Sequence, residues 1–320
     1  VDRMPVADLH CDVLGKMLLD ETLPFDDVSN HGAAAGGLDV TVGRLRAGGV
    51  GLQVFAIYVD HGLPMTPETA LRAAALFWDR VLAAPGMALV RTAADLDAVA
   101  SEGKTAAILS LEGVDSLRGQ WWALRLLHRL GLRLLGLTWN DANWAADGVM
   151  EPRGGGLTAA GKQLVKECES LGILLDVSHL SERGFWDLAE TATRPFFASH
   201  ANARRIHNHP RNLTDEQIRA IIAVGGVIGL TFVPDFLAGG ETAGIDDVLR
   251  HVEHVCALGG EHHLAFGSDF DGIDRHVTGL EHPGRYPDLV EALLKRYPER
   301  LVRRFLAENA RRFLRDGLPS

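Results

Sequence analysis

The stretch Val6-Ala7-Asp8-Leu9-His10-Cys11-Asp12 begins as an apolar run and closes on two residues that can bind a metal or move a proton. An apolar run of this length reads as a buried strand, and polar residues at its C-terminal end mark where the strand leaves the core. The form recurs at Val50–Val59, Thr105–Glu112, Leu132–Trp139, Gly172–His179, Pro195–His200, Gly226–Phe232 and Leu264–Asp269, eight candidate strands at fairly even spacing. Helical patterns fill the gaps, among them Pro67–Ala83, Ser116–Leu130, Thr158–Leu171, Ser181–Thr191, Thr214–Val224 and Asp246–Leu258, several opened by a Ser, Thr or Asp suited to cap a first turn. Strand alternating with helix predicts an α/β protein with a parallel sheet, and eight such units predict a closed (β/α)8 barrel of the TIM type. An open doubly wound sheet would carry a glycine-rich turn after its first strand, where His10-Cys11-Asp12 stands instead. No repeat or linker interrupts the pattern, so residues 1–320 read as one domain, with a loop at roughly 272–287 and helices at the C-terminus.

Composition narrows the partners. Lys plus Arg number 32 against 42 Asp plus Glu, a net charge of −10 that disfavours nucleic acid or an anionic membrane. An apolar share of 47% with 23% charged residues is that of a folded, soluble chain. The longest apolar stretches, Thr105–Leu111 and Gly225–Phe232, are too short to cross a bilayer. Cys11, Cys168 and Cys256 are odd in number and widely spaced, which predicts neither a disulfide framework nor a cysteine zinc knuckle and suits a reducing cytoplasm. The first residues enter the strand pattern with no apolar leader before them.

Six strand-end residues carry the chemistry: His10, Asp12, Glu112, His179, His200 and Asp269. Barrel enzymes build their sites at the C-terminal ends of the strands, so residues far apart in sequence converge there. His10 and Asp12, two apart on a strand, share one face and can grip one cation, while Cys11 turns to the other face as a buried small apolar residue. His179 and His200 close successive strands and offer two imidazoles to a second cation, with Glu112 able to bridge. Imidazole with carboxylate suits zinc, and manganese, iron and cobalt share that preference. His251 and His254, three apart on a helix without the glutamate of a His-Glu-x-x-His motif, read as a solvated helix face. His207 and His209 read as packing groups of the loop after the sixth strand, and WWALRLLHRLGLRLL as a barrel helix with a buried Leu/Trp face and exposed Arg.

Taken in order, DLHCD, LSLEG, DVSH, ASH, HPRN and GSDFDG resemble the membrane dipeptidase (renal dipeptidase) family of the amidohydrolase superfamily, from about Asp8 to the helix containing ENARRFL. The resemblance implies a (β/α)8 barrel holding two zinc ions, a metallo-dipeptidase that attacks dipeptides with a zinc-bridged hydroxide and commonly tolerates a D-residue at the C-terminal position. It further implies that His10 and Asp12 ligate one zinc, His179 and His200 the other, and Glu112 both. Asp269 then matches the proton-handling aspartate, and Arg211 the arginine that binds the substrate's free carboxylate. One position departs: mammalian members read Leu-Thr-His-Asn where this chain has Leu137-Thr138-Trp139-Asn140. Trp139 and Asn140 are thereby expected at the substrate, with the indole supplying only an N–H donor. The mammalian lipid-anchor tail has no counterpart in RRFLRDGLPS, and the family's homodimeric habit is expected here. Two alternatives share these residues, a related binuclear hydrolase of another amide, lactam or ester, and a non-catalytic metal-binding barrel. Many relatives that bridge with a carboxylated lysine differ at the third strand, which here offers Glu112, while Lys104 lies at the wrong end.

Overall fold

The computed structural model describes residues 4–28, 37–240 and 242–320, so the reading of Val1, Asp2 and Arg3 as the start of a leaderless N-terminus lies outside the described residues. Its strands are β1 (Val6–Asp8), β2 (Val50–Ile57), β3 (Met87–Leu89), β4 (Thr105–Glu112), β5 (Leu132–Gly136), β6 (Leu174–Asp176), β7 (Ile228–Leu230) and β8 (Leu264–Phe266). They pair in parallel in the order β6-β5-β4-β2-β1-β8-β7. Short β3, absent from the sequence reading, pairs with Thr105–Ala107 of β4, below the point where β5 joins at Leu109.

The sixth expected strand, Pro195–His200, is not a regular strand among the described residues, yet it closes the barrel. Phe197 N donates to Leu175 O and Val177 N to Phe197 O on the β6 side. Ala198 N donates to Val227 O and Gly229 N to Ala198 O on the β7 side. Beyond Ala198 side chains replace the ladder on the β6 side: Ser199 N–H goes to Asp176 Oδ1 at 2.9 Å and His200 N–H to Ser178 Oγ at 3.1 Å, while Ala201 N still donates to Gly229 O on the β7 side. Substitution of backbone acceptors also shortens β1, because His10 N–H and Ser268 N–H both go to Asp8 Oδ1. In these two staves aspartate and serine side chains take over hydrogen bonds that the ladder would otherwise make.

Local rules account for the helices. Thr158, Ser181 and Thr214 accept backbone N–H groups at the starts of Ala159–Leu171, Glu182–Thr191 and Asp215–Ala223, as capping residues should. The predicted helix at 116–130 is broken instead into a turn at Asp115–Leu117 and a helix at Trp121–Arg129, because Arg118 and Gly119 adopt positive φ values of 51° and 72°. Every stave contributes to one packed layer, including Ala7, Leu52, Ala106, Leu134, Leu174, Phe197, Val227 and Ala265, which is the barrel interior. Ala310, Phe313 and Leu314 of the C-terminal helix join it and plug the end opposite the strand C-termini. His251 corrects the expectation of a solvated helix face: it is fully buried, accepting from Ala203 N–H and bonding Leu237 O through Nε2. Burial pushes its pKa down to about 4, so it is a neutral pin between helix and loop. His209 packs on Phe236, and Cys11 is buried in the core.

Candidate metal centre and active site

Glu112, the last residue of β4, lies between two sets of side chains. Its Oε2 is 3.6 Å from His10 Nε2, and its Oε1 is 2.9 Å from His179 Nε2 and 3.3 Å from His200 Nε2. His10 Nε2 lies 3.3 Å from Asp12 Oδ2 and 3.7 Å from Asp269 Oδ1. The six strand-end residues singled out in the sequence therefore meet at one point. His10 and Asp12 share a face although β1 ends before them. Both His179 and Asp269 take left-handed backbone, each with φ of 68°, a strain of about 1–3 kcal/mol per residue that the surrounding structure must hold. Gly272 is required by contact: a Cβ there would sit 2.1 Å from Asp12 Oδ2 and 2.6 Å from Asp269 Oδ1.

The electrostatics describe a cluster built around positive charge. Burial pushes the carboxyl groups of Asp12 and Asp269 above the ordinary range and that of Glu112 up to about 7. Burial also opposes charge on His10, but Glu112 and Asp12 outweigh it and hold that imidazole up to about 10, so this corner favours a positive charge, which a bound cation would supply in place of the ring proton. His179 and His200 are driven well below the usual imidazole value by burial, so both are neutral and fit to ligate. Two buried atoms, His10 Nε2 and Asp12 Oδ1, have no hydrogen-bond partner among the described residues. Orphaned ligand atoms beside a carboxylate that faces two neutral imidazoles fit a divalent cation, and the oxygen and imidazole donor set fits zinc.

Beside the cluster opens a cavity of about 290 Å³, lined by Asp12, Tyr58, Glu112, Trp139, His179 and Asp269 with Lys16 at its rim. Trp139 faces it, its ring 5.3 Å from that of Tyr58 and 6.1 Å from that of His179. Asn140 does not line it; its Oδ1 meets His179 Nδ1 at 2.8 Å. Arg211 does not line it either: it is buried, donating to His200 O at 3.2 Å and lying over the Phe236 ring, with its Nε unpartnered among the described residues. Tyr58 was missed in the sequence, although it follows β2 by the same logic that selected the other strand ends. Also missed were Asp8 and Asp176, which brace the strand ends. Their signal was present, since a serine precedes each of His179, His200 and Asp269 and an aspartate stands two residues before His10 and before Ser178.

Residues 1–317 match the sequence pattern of the Membrane dipeptidase family (Peptidase family M19). The chain belongs to this family. Within it, the dipeptidase AC, a metallopeptidase whose crystal structure is known, superposes with a TM-score of 0.89 at 32% identity, each chain covered to 100%. A metallopeptidase from Rhodobacter sphaeroides, solved with a phosphinate mimic of the dipeptide L-Ala-D-Ala, superposes with a TM-score of 0.88 at 31% identity, covering 99% of this chain and 100% of that one. An uncharacterized dipeptidase of Schizosaccharomyces pombe is 32% identical over 272 residues, 79% of this chain and 65% of that relative's length. As a membrane dipeptidase family member the chain is a metal-dependent peptide-bond hydrolase with a TIM-barrel fold. No helix among the described residues is long and apolar enough to cross a membrane.

Proposed function

We propose that this chain, a single domain over residues 1–320 working as a homodimer, is a zinc dipeptidase that cleaves dipeptides with a free C-terminal carboxylate, L,D-dipeptides included. The observation that carries the reading is the division of Glu112, one oxygen toward His10 and the other toward the His179 and His200 pair. Two zinc ions would be held by His10 and Asp12 on one side and by His179 and His200 on the other, with Glu112 shared. Bound there, they would supply Lewis acidity and a water acidic enough to attack a carbonyl near neutral pH.

The protein's own groups do the rest. Asp269, its proton affinity raised by burial, takes a proton from the attacking water and returns it to the leaving nitrogen. Asn140 keeps the His179 ring in place, and Trp139 walls the cavity against bulk water. The unpartnered Nε of Arg211 is the donor we assign to the substrate carboxylate. A cavity of about 290 Å³ stands at the small end of ligand pockets and suits two residues rather than a longer peptide. The bound L-Ala-D-Ala mimic of the Rhodobacter sphaeroides relative supports a D-residue at the second position.

A panel of L,L- and L,D-dipeptides, each as free acid and C-terminal amide, tests the reading. The free acids should be cleaved, and the amides should lose about 2 kcal/mol, roughly thirtyfold in kcat/KM. Arg211→Met should erase that preference while both zinc equivalents stay bound. Equal cleavage of acid and amide by the unaltered enzyme would move the reading toward a broader amidase.

A further inference from the structure

The two imidazoles that face Glu112 Oε1 are steadied differently. His179 Nδ1 meets the Asn140 carboxamide oxygen, which can only accept, so the ring proton sits on Nδ1 and Nε2 keeps its lone pair. His200 Nδ1 meets Ser199 Oγ at 2.7 Å. A hydroxyl donates or accepts, so the serine alone leaves the His200 tautomer open. Asp176 decides it. Its Oδ2 takes the Ser199 hydroxyl proton at 2.5 Å, while its Oδ1 is filled by the N–H groups of Ser178 and Ser199, each at 2.9 Å. With its one proton spent on the carboxylate, Ser199 Oγ must accept from His200 Nδ1–H. His200 Nε2 then turns a lone pair toward Glu112 Oε1, 3.3 Å away, and toward the lone pair of His179 Nε2, 2.8 Å away, a convergence of acceptors that a cation would join. Asp176, Ser178, Ser199 and His200 are all buried, so bulk water does not take over either link.

We propose that Asp176 and Ser199 are positioning residues that set the His200 tautomer, and through it the capacity of His200 to ligate a cation. The proposal rests on the metal-centre reading above. A carboxylate behind a metal-binding imidazole is a general device for fixing its proton, and here a serine from the neighbouring stave is interposed. Asp176→Asn is the sharp variant. Its carbonyl oxygen keeps both N–H bonds, but its NH2 group now faces Ser199 Oγ as a donor. The serine then turns its proton onto His200 Nδ1, and the ring proton is forced to Nε2, the nitrogen that would ligate.

The test uses the whole chain labelled with 15N-histidine, reading each imidazole by long-range proton–nitrogen correlation both zinc-loaded and after a chelator has withdrawn the zinc, because zinc on Nε2 would itself exclude a proton there. The expected tautomers are those of the zinc-free chain, with His200 assigned from the spectrum of His200→Gln. Zinc affinity is read in parallel by competition with a chelator. The unaltered chain and Ser199→Thr should show a proton on His200 Nδ1 and hold two zinc ions. Asp176→Asn should show it on Nε2 and bind one zinc about 10–100-fold more weakly. Ser199→Ala should give mixed tautomers and about a tenfold loss. A native tautomer with native zinc affinity in Asp176→Asn overturns the proposal, and so does a protonated Nε2 in the unaltered chain. Should Asp176→Asn not fold, equal zinc affinity in Ser199→Ala and Ser199→Thr overturns it instead. Neither readout involves peptide cleavage: a chain with the expected tautomers that cleaves no dipeptide sinks the functional proposal and leaves the relay standing.

Discussion

Two corners of the barrel mouth use one clamp for different ends. At the first, Asp8 Oδ1 accepts from His10 N–H and Ser268 N–H, and Oδ2 accepts the Ser268 hydroxyl at 2.6 Å. At the second, Asp176 Oδ1 accepts from Ser178 N–H and Ser199 N–H, and Oδ2 accepts the Ser199 hydroxyl. Each clamp precedes a residue forced into left-handed backbone, Asp269 in one and His179 in the other. The two serines have different neighbours. Among the described residues Ser268 reaches no side chain of the metal cluster, and Asp8 instead takes a further donor, Tyr286 OH at 2.9 Å, from the helix Tyr286–Leu294. Ser199 touches His200 Nδ1. Ser268 precedes a carboxylate, Asp269, and reaches no imidazole, so the first clamp only has to hold backbone, whereas the serine of the second touches the His200 ring, whose proton must be assigned. The same hydrogen bonds are scaffolding in one place and chemistry in the other.

Substitutions separate the two corners, and the largest effect is expected at Gly272. In Gly272→Ala the new methyl displaces Asp12 and Asp269 together, so turnover should fall by about three orders of magnitude. Metal analysis should find the zinc on the His179 and His200 side retained and the other weakened. Loss of both ions would show that the corners are not independent. Next is Asp269→Asn, which should keep both zinc ions and lower turnover by about two orders, because only the proton carrier is lost. Near-normal turnover would remove Asp269 from the mechanism.

Smaller effects should appear in stability. Asp8→Ala strands four buried donors and should cost about 3 kcal/mol or more in urea unfolding, while Tyr286→Phe, which removes one of them, should cost about 1 kcal/mol. Equal costs would mean that the helix strap, not the backbone clamp, stabilises this corner. The smallest effect lies on the rim, where His276 Nε2 bonds Asp39 Oδ2 at 2.8 Å and Asp39 Oδ2 accepts from Asp271 N–H. The Asp39 hydrogen bond raises the His276 pKa above the ordinary 6.5, outweighing partial burial. Its contribution is therefore complete below about pH 6.5 and fades as pH rises through the raised value. His276→Gln should lower stability by a few tenths of a kcal/mol at about pH 6 and by nothing at about pH 9. The opposite trend would mean that the pair is held by the neutral ring.

The metal cluster was legible in the sequence because a parallel barrel exports whatever ends its strands to one face. His10, Asp12, Glu112, His179, His200 and Asp269 could be named without coordinates, since the barrel needs only the alternation of strand and helix. Asp8 and Asp176 were overlooked because they lie inside apolar runs, where a carboxylate reads as an interruption until its donors are known. Those donors are remote: Ser268 is 260 residues from Asp8, and Tyr286 is 278. The segment Pro195–His200 shows the same limit. Its apolar start predicts a strand, but Ser199 and His200 give their N–H groups to side chains of the neighbouring stave.

Sequence alone thus determined the barrel, the capped starts of the helices after Thr158, Ser181 and Thr214, and the polar strand ends that converge, all of which come from local periodicity, capping and position within a run. Tertiary structure decided which polar groups are satisfied and by what. It turned His251 from a surface residue into a buried pin, drew Asn140 onto His179, and gave two similar aspartates unlike tasks. The physical reason is that a hydrogen bond in a buried site is chosen among donors and acceptors brought together by the fold, and sequence distance says nothing about which of them meet.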